Sequence, residues 1–257
     1  MKKAFFAVVL ALVVFGLASC EHIGVRENES QNDGMEIALN VNGDTLKKEF
    51  RKDGSLRSIV TVKNGKRNGP SYVYYENGKL QFEINYKNSV KNGITKYFYE
   101  NGALYRTTLF ENGDKVGIQK YYHEKGGLKA EIPYEFGSVV PGTKEYSQSG
   151  KLLDDYPEIV VKTVDKLAFE NTYELKISLS PFKKNADIYF DYVVDGKHVQ
   201  RSTSHGTENG VATHTYFVYP GQSLMEKLEI RCRTKSRRGM PVVLTKTYNL
   251  VVDNRNY

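Results

Sequence analysis

Tryptophan is absent from this chain, and cysteine occurs only twice, at Cys20 and Cys232. Without a Trp and a disulfide the chain lacks the buried ring and inter-sheet bridge that pin antibody-type domains. Through residues 45–152 no run carries a helical apolar stripe longer than two turns. No strong charge excess exists either: the formal net charge is +7. That is too modest for a nucleic-acid footprint, although it permits attraction to anionic lipid or polysaccharide. Catalytic frames are missing as well. Ser204-His205-Gly206 does not sit in a G-x-S-x-G elbow. His198, His205 and His214 have no zinc-like spacing. Asp187, Asp191 and Asp195 are not clustered around a Gly as a calcium loop requires. The chain therefore reads as non-enzymatic, with no metal and no cofactor.

Long apolar runs are also lacking, except for one at the start. Lys2 and Lys3 precede Ala4–Leu17, a run of almost unbroken apolar character. A spanning helix needs about 20 such positions. This run is shorter and fits the core of a signal peptide. It ends in Leu17-Ala18-Ser19-Cys20, which resembles the lipobox of bacterial lipoproteins. The resemblance implies cleavage after Ser19, so that 1–19 is leader and the mature chain begins at Cys20. It also implies fatty acylation of Cys20 (diacylglyceryl on the thiol, palmitate-type chains). Several acyl chains on one residue anchor far more firmly than one. Removal of Lys2 and Lys3 lowers the net charge from +7 to +5. Glu21 stands where an Asp resembles an inner-membrane retention signal, so the address implied is the cell envelope, with the outer membrane favoured. The following polar stretch, residues 20–44 with Cys20, reads as a flexible tether.

From residue 45 to about 156 the chain repeats. Gly54, Gly78, Gly102, Gly126 and Gly150 recur at one unvarying interval of two dozen positions. Leu56, Leu80, Leu104, Leu128 and Leu152 follow two positions later, and Phe50, Tyr74, Phe98, Tyr122 and Tyr146 precede by four. A second Gly follows at Gly69, Gly93 and Gly117, with Pro141-Gly142 in the next unit. A fixed period in this range signals a repeat architecture. The runs between glycines are rich in Tyr, Phe, Val, Ile and Thr, which is strand chemistry. Each unit is expected to be two antiparallel strands, about 79–86 and 94–99 in the second unit, joined by the polar loop KNSVKNG.

The turn type follows from what precedes the repeat Gly: Asp53, Asn77, Asn101, Lys125 and Ser149. Lys and Ser are poor at positive φ. A three-residue loop, a type I turn closed by a left-handed Gly, fits better than a two-residue type I′ turn. With Glu76-Asn77-Gly78 as the loop, Tyr74 is expected opposite Leu80 and Tyr72 opposite Phe82. Ile84 and Tyr86 would continue that face, with Val73 and Tyr75 on the other.

The segment VKNGKRNGPSYVYYENGKLQFEINYKN, with Gly65, Gly69, Gly78, its aromatics and Phe82, resembles MORN repeats. It is most similar to the variant of bacterial lipoproteins and of proteins labelled YwqK-type antitoxins. Ser71 and Glu83-Ile84 depart from that pattern. The resemblance implies a rod-like β scaffold with lipid or protein contacts. The antitoxin label implies a cytoplasmic partner, which conflicts with the lipobox.

Residues 157–257 lose the period. Strands are expected over 159–164, 173–180, 188–194, 198–202, 211–219, 228–234 and 242–252, divided by turn residues. Seven short strands in about 100 residues suggest an immunoglobulin-like sandwich. The whole chain is thus all-β: an elongated antiparallel meander of MORN-like hairpin repeats followed by an immunoglobulin-like β-sandwich. Alternation in LEIRCR puts Cys232 on an apolar face, where a buried structural thiol is expected.

Candidate binding residues come from two places. Tyr72, Tyr74, Tyr97, Tyr99, Tyr121 and Tyr122 could stack on a glycan or serve as cross-strand pairs. Arg231, Arg233 and Lys235 alternate along one strand, with Arg237 and Arg238 beyond. They suit an acidic ligand, or a charged edge strand that blocks sheet-to-sheet association. The partners expected are membrane lipid through Cys20 and an unidentified protein, with a glycan as the alternative and nucleic acid excluded.

Overall fold

The computed structural model describes residues 26–27, 34–40, 42–181, 187–194, 197–199 and 210–255; for 26–27 and 189–199 only backbone is described. Cys20, the leader and most of the tether lie outside these residues, as do His205 and Asp195.

The first region is one antiparallel sheet of 14 strands. Its strands are β1 (Arg26–Glu27), β2 (Met35–Leu39), β3 (Thr45–Phe50), β4 (Leu56–Lys63), β5 (Lys66–Tyr74), β6 (Leu80–Lys87) and β7 (Val90–Lys91). They continue as β8 (Gly93–Phe98), β9 (Leu104–Glu111), β10 (Asp114–Tyr122), β11 (Leu128–Glu135), β12 (Ser138–Val139), β13 (Lys144–Tyr146) and β14 (Leu152–Leu153). Neighbours in space follow chain order, with the short β7 and β12 folding back on β6 and β11. The sheet starts earlier than the sequence boundary at residue 45. Met35-Glu36-Ile37-Ala38-Leu39, read as tether, pairs along β3 and buries Ala38. Its alternation is too short to stand out from a polar surround.

The repeat turn has the expected form. Gly78 N–H donates to Tyr75 O at 3.0 Å, and Tyr75 N–H donates to Lys79 O at 2.9 Å. Gly78 sits at φ 79, so only a glycine-like backbone closes the loop without strain. The same pair of bonds recurs at Gly54, Gly102, Gly126 and Gly150.

Tyr74 does lie opposite Leu80, but Tyr72 lies opposite Glu83 and Val73 opposite Phe82. A bulge between Val73 and Tyr74 leaves Gln81 without a facing residue. One extra residue slips the register by one, which moves Phe82, Ile84 and Tyr86 onto the face of Val73. The bulge recurs beside Phe50, Phe98 and Tyr122. It is part of the repeat, and a Gly-and-Leu signature does not mark it.

The polar loop KNSVKNG is also more ordered than expected. Asn88 and Ser89 take φ 51 and 69, a two-residue turn that pairs Lys87 with Val90. Equivalent turns occur at Asn64-Gly65, Asn112-Gly113 and Phe136-Gly137. The meander therefore reverses by left-handed Gly loops on one edge and by tight paired turns on the other.

The second region begins at β15 (Glu158–Lys166), followed by the short α1 (Leu167–Glu170) and β16 (Thr172–Ser180). Next come β17 (Asp187–Val194), β18 (Lys197–Val199), β19 (Ala212–Phe217), β20 (Ser223–Lys235) and β21 (Pro241–Asp253). Six of the expected strands are present; of the seventh, expected over 198–202, β18 covers the start and 200–202 lie outside the described residues. They form sheets ordered β15-β16-β19 and β18-β17-β20-β21. Leu175, Ile177, Ile188, Leu228, Ile230 and Leu250 from both sheets share one core. That is an immunoglobulin-like sandwich. Cys232 lies in this core as a free, fully buried thiol, and burial pushes its pKa up to about 12, with Asp187 adding to the shift. It is inert as a nucleophile at neutral pH.

The strand carrying Arg231, Arg233 and Lys235 is not an edge. β20 runs between β17 and β21, so its charges line the outer face of a central strand. Alternation told which face they occupy; it held no information about which neighbours pair with that strand.

Candidate functional site

Register divides the repeat sheet into two faces. One face carries Val73, Phe82, Tyr97, Arg106, Tyr121 and Ala130 along a line across six strands. Tyr105 occupies the bulge between Tyr97 and Phe98, and its ring joins those of its neighbours.

The result is a continuous aromatic cluster. Phe82 and Tyr97 stack at 4.4 Å between centroids, 12° from parallel. Tyr105 meets Tyr97 at 5.0 Å, Tyr99 at 4.9 Å and Tyr121 at 5.5 Å, all edge to face. The Arg106 guanidinium lies 5.7 Å from the Tyr97 ring and 5.5 Å from that of Tyr121, and it donates to the Tyr121 hydroxyl at 3.3 Å. Burial raises the Tyr105 phenol above its ordinary value. These rings present edges and a covering cation more than open faces.

A second row runs parallel to the first. Arg67 lies over Tyr86 at 4.4 Å, Lys91 over Phe110 at 5.1 Å and Lys115 over Tyr134 at 4.7 Å. Cations and rings each recur at the repeat period, so the contact is one repeat-encoded cation–π pair used three times. Beside it, Ser71 Oγ, Thr95 Oγ1 and Gln119 Oε1 are buried with no hydrogen-bond partner. These three positions keep the same period.

Between the rows lies an open groove of about 340 Å³. Its floor is Val73, Phe82, Ile84 and Phe110. Its cations are Lys91, Arg106 and Lys115, and its neutral polar groups are Thr95, Thr108 and Gln119. No carboxylate lines it. Burial lowers the Lys115 ammonium below its ordinary value, and the charges of Arg106 and Lys91 lower it further. A second hollow of similar volume, around Met35, Lys47, Val60 and Arg67, contains Glu49.

The candidate residues from the sequence do not form one surface. Tyr97 and Tyr121 belong to the aromatic cluster, and Tyr99 reaches it from the turn. Tyr72 faces the other way, paired with Glu83. Tyr74 and Tyr122 sit beside the bulges, opposite Leu80 and Leu128. Arg231, in the sandwich, pairs with Glu229 at 3.1 Å, and Arg233 follows it on the same outer face. Sequence reasoning missed Lys91, Tyr105, Arg106 and Lys115. The signal is in the sequence: Arg67, Lys91 and Lys115 keep the repeat period just as the glycines, leucines and aromatics do.

Other tyrosines have structural partners. The Tyr75 hydroxyl donates to Phe98 O at 2.7 Å, and that of Tyr99 donates to Tyr122 O at 2.9 Å. Arg51 makes the same bond to Tyr74 O, and His123 Nε2 lies 3.1 Å from Tyr146 O. One side chain per unit thus clamps the next unit's backbone. Burial pushes the Tyr75 phenol up to about 12, helped by Tyr97 beside it.

The far basic residues serve the junction of the two regions. Arg238 donates to both Asp155 oxygens, at 2.8 and 3.0 Å, and lies 3.8 Å from the buried Glu145. Met240 packs on Ala130, Ile132 and Tyr134, and the Thr143 hydroxyl donates to Pro241 O at 2.9 Å. The turn between β20 and β21 therefore covers the β11 end of the open face.

His214 packs edge to face on Tyr216 at 4.6 Å. The His198 side chain lies outside the described residues. Among the described residues no group of His, Cys, Asp and Glu could hold a metal ion. No helix among them is long and apolar enough to cross a membrane.

Residues 67–88, 91–112 and 115–135 match the MORN repeat variant family. The chain therefore carries three consecutive units of that type, and the geometry continues the same turn to Gly54 and Gly150. No curated protein matches the chain.

Proposed function

We propose that the protein is a non-enzymatic lipoprotein of the bacterial cell envelope, anchored through acylated Cys20, whose repeat sheet is a scaffold for a protein partner. The observation that carries this reading is the sheet face itself. Among the described residues only Met240 and its turn cover that face, and only at one end. Phe82, Tyr97 and Lys115 remain half-buried in the absence of a second layer. Mixed aromatic, Arg and aliphatic surface of this kind is the composition of protein interfaces. The glycan alternative has weaker support, because a sugar needs an open ring face. Phe82 and Tyr97 are stacked on each other, and Arg106 lies over Tyr97 and Tyr121.

The lipobox pattern Leu17-Ala18-Ser19-Cys20 supports the anchor. Growth with a labelled fatty acid is expected to mark the wild-type chain and leave Cys20→Ala unmarked and released from membranes. Persistence of label and membrane association in Cys20→Ala would reject the anchor. For the scaffold, photocrosslinkers placed at Tyr97 and at Tyr72 in cells distinguish the two faces. A discrete adduct from Tyr97 alone is expected; equal capture from both positions, or none, counts against the reading.

A further inference from the structure

The open face holds two kinds of unmet demand, and they share one period. Arg67, Lys91 and Lys115 form a row of cations, and among the described residues none is within ion-pair distance of a carboxylate. Ser71, Thr95 and Gln119, each four positions further on, form a row of buried polar atoms without partners. Buried polar atoms are normally paired, so three orphans in register call for an explanation. Ser71 is 3% exposed and Gln119 is 1% exposed. The covering groups over the groove include long Lys and Arg side chains, which can swing aside.

The chemistry of the orphans narrows the ligand. Cations in a groove without acids call for carboxylates or phosphates. The orphaned Gln119 Oε1 is an acceptor, since its amide nitrogen already donates to Thr108 Oγ1 at 2.7 Å. An acceptor needs an N–H or O–H from the ligand. A polypeptide offers carboxylates, N–H donors and aliphatic side chains on one chain; a fatty-acid anion has no donor, and an acidic glycan or a phosphate monoester has no aliphatic side chains. Aliphatic side chains of such a segment would lie on Ile84 and Phe110 in the groove floor. Unit-to-unit spacing also suits a chain: two strand spacings make about 10 Å, close to one three-residue turn of an extended polyproline II segment, which returns every third side chain to the same side.

Resting on the scaffold reading above, we propose that the groove around Lys91, Arg106, Lys115, Thr95 and Gln119 binds an extended acidic segment of the partner protein. The segment runs across the strands along the repeat rows and carries a carboxylate at every third position, with aliphatic side chains between.

The test uses the full chain in detergent and a fluorescein-labelled synthetic peptide repeating Glu-Leu-Ser, followed by anisotropy. Binding is expected for this peptide and not for its Gln-Leu-Ser counterpart. Joint substitution Lys91→Gln and Lys115→Gln is expected to weaken it about tenfold, the sum of two partly screened charge pairs. The matched change Lys47→Gln and Lys48→Gln, at the other hollow, should have little effect. Joint Gln119→Leu and Thr108→Val is the fold-safe variant: it replaces both members of the buried hydrogen-bonded pair by apolar groups of similar shape, so stability should hold while affinity falls about threefold. Equal affinity in wild type and both groove variants overturns the proposal. So does binding of the Gln peptide as tightly as the Glu peptide. Vesicles of equimolar phosphatidylcholine and phosphatidylglycerol form the other arm. Groove-dependent binding to vesicles without peptide competition would reject a peptide in favour of lipid headgroups. A partner captured at Tyr97 that groove variants still retain would leave the scaffold reading intact and defeat this one.

Discussion

In the sandwich, Leu175, Ile177, Leu228 and Ile230 are wholly shielded from solvent, whereas nearly every residue of β6 and β8 stays only half-buried. Both regions are antiparallel, and both use Tyr, Val and Ile. They differ in layers. Two sheets facing each other enclose a core to which, among the described residues, β15, β16, β17, β19, β20 and β21 contribute. The repeat region has a single layer over most of its length, and its larger buried cluster appears only where Met240 arrives. A single layer must be held by contacts within itself. Here those are the turn hydrogen bonds, the clamps from one unit to the next, and the cation–ring pairs. Stability is then a sum of units and nearest-neighbour terms, as in other repeat arrays. The sandwich should instead fail as a whole.

The sharpest test of that contrast is Ile230→Ala. Truncation in a packed core costs about 3 kcal/mol. Denaturant unfolding should show the loss, and hydrogen exchange should show it over β15 to β21 together, with β4 to β8 spared. Loss of protection spreading evenly through both regions would end the distinction.

Gly78→Ala tests the repeat side. An added Cβ meets nothing within 4 Å, so the cost comes from φ 79 alone. It should be about 1 kcal/mol. Exchange should accelerate in β5, β6 and the adjoining unit and stay unchanged in the sandwich.

Tyr75→Phe removes one clamp while keeping the ring. Loss of its bond to Phe98 O should cost about 1 kcal/mol or slightly less. A faster-exchanging Tyr99 turn is the expected local sign. No change there would mean that units couple through backbone pairing and not through the clamp.

The smallest effect lies at the junction. Arg238 holds the Asp155 carboxyl below its ordinary 3.8. A folded-state value below the unfolded one means the contribution is present above about 3.8 and disappears as the pH falls through the lower folded value. Asp155→Asn should therefore lower the melting temperature slightly at neutral pH. The two proteins should converge in acid. Separate melting of the two regions in the variant alone would assign Asp155 and Arg238 to coupling them.

Much of the fold was legible because the repeat writes its own alignment. Gly78 and its equivalents announced the turn, since only a left-handed residue recurs there. The seven sandwich strands were legible from alternation at positions such as Tyr173, Leu175, Ile177 and Leu179. The bulge at Gln81 was not legible. Its counterparts are Arg57, Tyr105 and Lys129, which have no common chemistry. Missing it reversed the faces of Tyr72 and Phe82, and the candidate surface was scattered as a result. The aromatic cluster was half legible: Tyr97 and Tyr121 stand at repeated positions, but Arg106 between them carries no such mark.

The period, the strand content, the hairpin loop and the alternation that buries Cys232 all follow from the order of residues, because each depends on near neighbours in the chain. Which rings and cations share a face, that β20 is central, and that Arg238 reaches Asp155 follow only from the folded chain. Those outcomes depend on register and on pairings between distant segments, such as Thr143 with Pro241. A one-residue bulge changes them all without altering any local pattern.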